Sequence, residues 1–178
     1  MDAGLEKRLL DLLDRDAILQ VIQRMARGLD RVDNELVLSC YWPEAIDDHT
    51  HYVGGPEGFV AYADKMTLAF VSCQHGLMTH NCEIDGDDAH CETYYTFIAT
   101  AAQPPHFMAS GRYVDHFQKR RGEWRILKRF TVVDGTYDLS PSQSAANMSS
   151  PYAPGELQVA LNRSDLSYQR PVQVRQAK

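Results

Sequence analysis

The chain has 178 residues, 44% of them hydrophobic, which is enough for one well-buried core and too few to argue for two full domains. A formal net charge of -6 argues against nucleic acid and anionic lipid as partners, because both require clustered Lys and Arg to neutralise phosphate. A small molecule or another protein is the expected partner.

No run approaches the roughly 20 apolar residues of a membrane span, and the N-terminal MDAGLEKRLLDLLDRD interleaves charges among its leucines instead of following a signal-peptide pattern. A cytoplasmic protein without membrane association is expected. Cys40, Cys73, Cys82 and Cys91 form no CxxC pair, and three of them fall in expected strands, so they read as reduced and structural.

From Leu5 to about Leu29 apolar residues recur at helical spacing, with Ile18, Ile22, Met25 and Leu29 on one stripe and a break expected near Asp14 to Asp16. A second short helix is suggested by Leu36, Val37, Cys40 and Tyr41, capped by Asp33 or Asn34 and ended by Pro43. AIDDHTHYVGG reads as a short strand leaving through Gly54 and Gly55. Pro56 then opens a helix with Phe59, Tyr62, Ala63, Met66 and Phe70 on one face.

Two hairpins follow. Cys73 to Asp85 and Ala89 to Ala101 flank DGDD, and Gly111 to Gln118 and Glu123 to Asp134 flank RRGE. Helices first and consecutive hairpins after, without βαβ alternation, predict an α+β fold: a curved antiparallel sheet packed against N-terminal helices. This domain is expected over residues 1–138. The Ser-, Pro- and Gln-rich tail, residues 139–178, is expected to be partly disordered or to wrap its own domain or a neighbouring subunit.

Four segments in order, ARGLDRVD, YWPEAIDDH, QHGLMTHNCEIDGDDA and GRYVDHFQKRRGEWRILKR, resemble the SnoaL-like branch of the nuclear-transport-factor-two superfamily over residues 8–135. The resemblance implies a cone, the cystatin-like α+β barrel, with an apolar cavity at its open end. It also implies proton chemistry without a cofactor, as in scytalone dehydratase, bile-acid dehydratase and hexachlorocyclohexane dehydrochlorinase. Because the superfamily also holds binding proteins, function has to be argued at the site.

His75 lies near the start of an expected strand, with Leu77 and Thr79 on its face, and its imidazole is suited to general base work near neutral pH or to a hydrogen-bonded place in the core. Asp30 ends the first helix at the edge of its apolar stripe. It is either a solvated charge or, as the resemblance implies, the carboxylate that orients His75.

Arg129, placed on a face with Leu127 and Val133, needs an anionic partner or a pocket. The resemblance assigns it to the leaving group; the alternative is a salt bridge to a helix carboxylate. Asp48 and His49 beside His51 and Tyr52 suggest a pocket wall with His49 touching substrate. Metal binding there is disfavoured because strand neighbours point apart. Tyr41, Tyr95 and Tyr113 are candidate donors to a substrate oxygen, or core aromatics. Met25 and Phe97 depart from the resemblance, standing where the dehydrochlorinase has a lysine and the bile-acid dehydratase a second aspartate.

The resulting expectation is a lyase that needs neither cofactor nor metal. It would act by dehydratase-type elimination on a hydrophobic aromatic or polycyclic small molecule, and would work as a homo-oligomer, dimer or trimer. A retro-aldol or deformylating lyase on lignin-derived diaryl compounds would use the same base. A non-catalytic ligand carrier, or a partner like a dioxygenase small subunit, would not need it.

Overall fold

The computed structural model describes residues 2–140 and 160–172. Helix α1 (Ala3–Asp30) begins where the Asp2 side chain accepts from the Gly4 N–H and runs without the expected break. Asp14 is the reason. Its carboxylate accepts from Lys119 Nζ at 2.7 Å and Trp124 Nε1 at 2.8 Å, so an apparent interruption anchors the helix to the sheet. Beyond it, Ile18, Ile22, Met25 and Leu29 are buried, whereas Leu5, Leu9, Leu10, Leu12 and Leu13 are exposed.

The chain turns at Val32, which adopts a positive φ of 49°, and Asp33 caps α2 (Asn34–Leu38) by accepting from Leu36 N–H at 3.3 Å. This helix is shorter than expected. Tyr41 already pairs with Ile126 in β1 (Tyr41–His49), and Pro43 sits in the irregular register between Tyr41 and Ile46, where its missing N–H breaks no ladder. The single strand expected across AIDDHTHYVGG is divided by a turn at Thr50 and His51, giving β2 (Tyr52–Gly54). Then come α3 (Pro56–Thr67), β3 (Ser72–Asp85), β4 (Asp88–Thr100), β5 (His106–Arg120) and β6 (Glu123–Leu139).

The six strands form one curved, unclosed sheet in the order β2-β1-β6-β5-β4-β3, packed against the helices as an α+β fold. It is antiparallel except where β1 runs parallel to β6, which corrects the wholly antiparallel expectation. Bulges bend the long strands and shift which residues face inward. On β3 the register slips between Leu77 and His80, so Thr79, expected beside His75, is exposed, while His80 and Cys82 turn in. On β6 a slip around Leu127 separates inward Trp124 and Ile126 from inward Arg129 and Thr131, so Leu127 does not share Arg129's face.

Residues 160–172 return to the elbow between α1 and α2. Arg163 pairs with Asp33 at 2.7 Å, the Tyr168 hydroxyl donates to the same carboxylate at 2.8 Å, and Arg27 lies 4.5 Å over the Tyr168 ring. Residues 141–159, on which much of the expected tail disorder falls, lie outside the described residues. Among the described residues, no helix is long and apolar enough to cross a membrane.

Candidate active site

β3 is an edge strand, so the backbone N–H groups on its free side need partners from elsewhere. The last residue of α1 supplies one. Asp30 Oδ2 accepts the His75 backbone N–H at 3.0 Å while Oδ1 lies 2.7 Å from His75 Nδ1. Held at both its backbone and its ring, His75 is locked against the carboxylate. Both side chains are largely out of solvent, at 10% and 13% exposure.

An ionised Asp30 accepts the proton of Nδ1 and so leaves the lone pair on Nε2, the tautomer a general base requires. The nearby Cys73 thiol, 3.9 Å from Asp30 Oδ1, is no rival nucleophile. Burial first, and then the Asp30 charge, push it up to about 12.

His75 lines a cavity of about 420 Å³ between the concave sheet face and α3, while Asp30 stands behind it. The volume falls in the usual range of small-molecule sites, roughly 300–1,000 Å³. Phe59, Tyr62, Met66, Phe97 and Phe107 contribute apolar wall, and no Lys, Arg, Asp or Glu occurs among the described residues that line it.

A second imidazole faces the same space. His49 also lines the cavity, with Nδ1 at 3.0 Å from Thr131 Oγ1 and 3.3 Å from Asp47 Oδ1. Asp47 is fully buried and accepts the Tyr41 hydroxyl at 2.7 Å. Sequence reasoning singled out Asp48 and missed Asp47, although Ala45, Asp47 and His49 alternate onto one face. Thr50 and His51, in the turn that follows, line the cavity too.

Tyr95 and Tyr113 lie between the two imidazoles. Their rings stack at 4.5 Å, with His75 6.4 Å from Tyr95 and His49 6.5 Å from Tyr113. Burial raises both phenols above their ordinary value, so at neutral pH they carry protons to donate. Both line the cavity.

Two expected site residues are placed elsewhere. Tyr41 is buried and its hydroxyl is committed to Asp47, so it does not line the cavity. Arg129 does not line it either: Nε and Nη2 each bind Asp115 at 2.7 Å, and both side chains are fully buried. The partner is a strand residue, not the helix carboxylate considered as the alternative, because Asp115 and Arg129 face each other in the β5–β6 register. Burial works against the guanidinium, but Asp115, with Tyr41 and Asp47 behind it, together more than offset it and keep Arg129 charged. Its Cζ lies 4.1 Å over the Tyr113 ring, so it backs a wall residue instead of reaching the cavity.

The chain is thus a curved α+β sheet whose concave face carries a histidine-bearing apolar cavity. Residues 10–130 match the SnoaL-like domain, and the chain belongs to that family. No curated protein matches it in sequence.

Among solved structures, a protein provisionally assigned as a scytalone dehydratase from Novosphingobium aromaticivorans superposes with a TM-score of 0.67 at 15% identity, covering 74% of this chain and 91% of that one. The hexachlorocyclohexane dehydrochlorinase of Novosphingobium barchaimii gives 0.69 at 16% identity, covering 83% and 99%. A protein of unknown function with a cystatin-like fold from Nostoc punctiforme gives 0.59 at 21% identity, covering 68% and 92%. At these identities the likeness establishes the fold.

Proposed function

We propose that this chain is a cofactor-independent lyase that eliminates water, or a comparable leaving group, from a neutral, hydrophobic aromatic or polycyclic small molecule. The observation that carries the reading is the 2.7 Å contact between His75 and Asp30 at the wall of a cavity lined, among the described residues, by no Lys, Arg, Asp or Glu. In such surroundings a charged substrate would lose its hydration without a partner.

His75 Nε2 takes the proton from substrate carbon, and Asp30 stabilises the imidazolium that forms. The C–H electron pair forms the new C=C bond as the C–O or C–X bond breaks, and the pair of the broken bond departs with the leaving group. That group is met by an O–H from Tyr95 or Tyr113, or by His49 on the opposite wall. Arg129 acts at one remove, as a positioning residue behind Tyr113. The dehydratase and dehydrochlorinase names among the structural neighbours support elimination as the reaction type. The exposed cluster of Ile46, Val114 and Phe130 on the outer sheet face supports a homo-oligomer.

Turnover of a panel of neutral hydroxylated aromatic compounds, followed by mass spectrometry, tests the assignment. His75→Ala and Asp30→Asn should each lower kcat by about 10²- to 10⁴-fold with the circular dichroism spectrum unchanged. Full activity in both variants would rule out the dyad. Tight ligand binding without turnover by the wild-type chain would favour a carrier.

A further inference from the structure

The sequence suggests no more than reduced, structural cysteines, but the fold brings two of them together with a histidine. The β3–β4 hairpin closes through Gly86 and Asp87, with Gly86 at φ 61° as the first central residue of a two-residue turn. Asp85 and Asp88 therefore form the hydrogen-bonded pair that flanks the turn. Alternation from there makes Cys82 and Cys91 a non-hydrogen-bonded pair, whose Cα atoms sit about 4.5 Å apart.

His80 is one step further along the same face, opposite Thr93. The bulge after Leu77 is what turns His80 and Cys82 inward; unbroken alternation from His75 would have turned them out. A ring nitrogen of His80 and the sulfurs of Cys82 and Cys91 all lie within 4.8 Å of one another. Among the described residues this is the one group of three or more His, Cys, Asp or Glu so disposed.

His80 supplies a second, independent observation. Its Nδ1 is occupied by Thr93 Oγ1 at 2.8 Å, while its Nε2 is buried and has no hydrogen-bond partner. A histidine kept merely for packing does not need a buried nitrogen left empty. With Nδ1 donating to the threonine hydroxyl, Nε2 presents its lone pair, the arrangement in which metal-ligating histidines are held.

We propose that His80, Cys82 and Cys91 bind one thiophilic d¹⁰ cation of the zinc type, through Nε2 and two thiolates, with the fourth position left to water. Both cysteines bind as thiolates, and the two negative charges cancel those of the dication, so the site adds no net charge beneath α1. Zinc–sulfur and zinc–nitrogen bonds of about 2.3 and 2.0–2.1 Å put tetrahedral ligand atoms roughly 3.5–3.8 Å apart, within reach of small side-chain rotations. Arg15, which donates to the Cys82 carbonyl, ties α1 to the same strand. None of the three ligands lines the cavity that holds His75, so the ion would staple the hairpin and take no part in the elimination.

The test titrates the reduced, metal-free full chain with cobalt(II) and then with zinc. The expected result is saturation at one equivalent, with thiolate-to-cobalt charge-transfer absorption that zinc abolishes. Cys82→Ser, Cys91→Ser and His80→Ala should each remove or strongly weaken that band. In the wild-type chain, zinc should protect Cys82 and Cys91, but not the other cysteines, from alkylation as read by peptide mass spectrometry, a result that needs no variant to fold. The proposal is overturned if the folded, reduced chain shows no saturable charge-transfer band. It is equally overturned if the band survives both serine substitutions, or if zinc leaves Cys82 and Cys91 as reactive as before.

Discussion

Arg129 and Asp115 meet through two 2.7 Å bonds with neither side chain exposed, so each charge depends on the other to be tolerated inside the cone. Asp115→Ala should therefore cost about 3–5 kcal/mol in urea unfolding, whereas Asp115→Leu combined with Arg129→Met should recover most of that loss. Equal stability of Asp115→Ala and wild type would show that the pair is not buried as described. The need of Arg129 for an anion was legible in the sequence; the identity of the anion was not, because it follows from strand register. The same holds at the candidate site. Helix-end Asp30 and strand-borne His75 could be picked out by residue type and resemblance, but their two-point contact arises from the edge position of β3.

Among the elements, the elbow between α1 and α2 is set by close approach at Gly28. A Cβ there would stand 2.6 Å from Val37 Cγ2 and 3.1 Å from the Val37 backbone nitrogen. Gly28→Ala gains about 1 kcal/mol of helix propensity but drives a methyl group into packed backbone, which costs typically 1–3 kcal/mol. A net fall in Tm is expected on calorimetry; a rise would mean that α2 does not seat against α1. The strand bulges matter as much. Period-two reading placed Thr79 and Leu127 on inward faces, and at both places one extra residue in the ladder reversed the phase. No local composition marks those slips, since they relieve the bending of a long sheet around its core.

At the scale of the whole molecule, residues 160–172 clamp the elbow through Asp33, which serves at once as helix cap, ion-pair partner of Arg163 and acceptor from Tyr168. The Arg163 guanidinium first, with Tyr168 and the Leu36 N–H behind it, outweighs burial and holds the Asp33 carboxyl below its ordinary value. A depressed folded-state value means that this contribution is fully present above the unfolded carboxyl pKa of about 3.9 and is lost as pH falls through the lower folded value. Hydrogen exchange across residues 160–172 should therefore quicken as pH drops below about 4, once the intrinsic pH dependence of exchange is removed. Asp33→Asn should produce the same release at neutral pH; unchanged protection in that variant would dismiss the clamp.

Hydrophobic periodicity and turn chemistry were enough to determine the α+β class, the buried stripe of α1 and both hairpins, because each depends on neighbours within a few residues, while the family-like segments singled out His75 and Asp30 as candidates. Tertiary structure alone decided the parallel β1–β6 pairing, the burial of Arg129 against Asp115 and the meeting of His80, Cys82 and Cys91. Those depend on the register between paired strands and on where bulges interrupt it, and shifting a strand by a single residue exchanges its two faces.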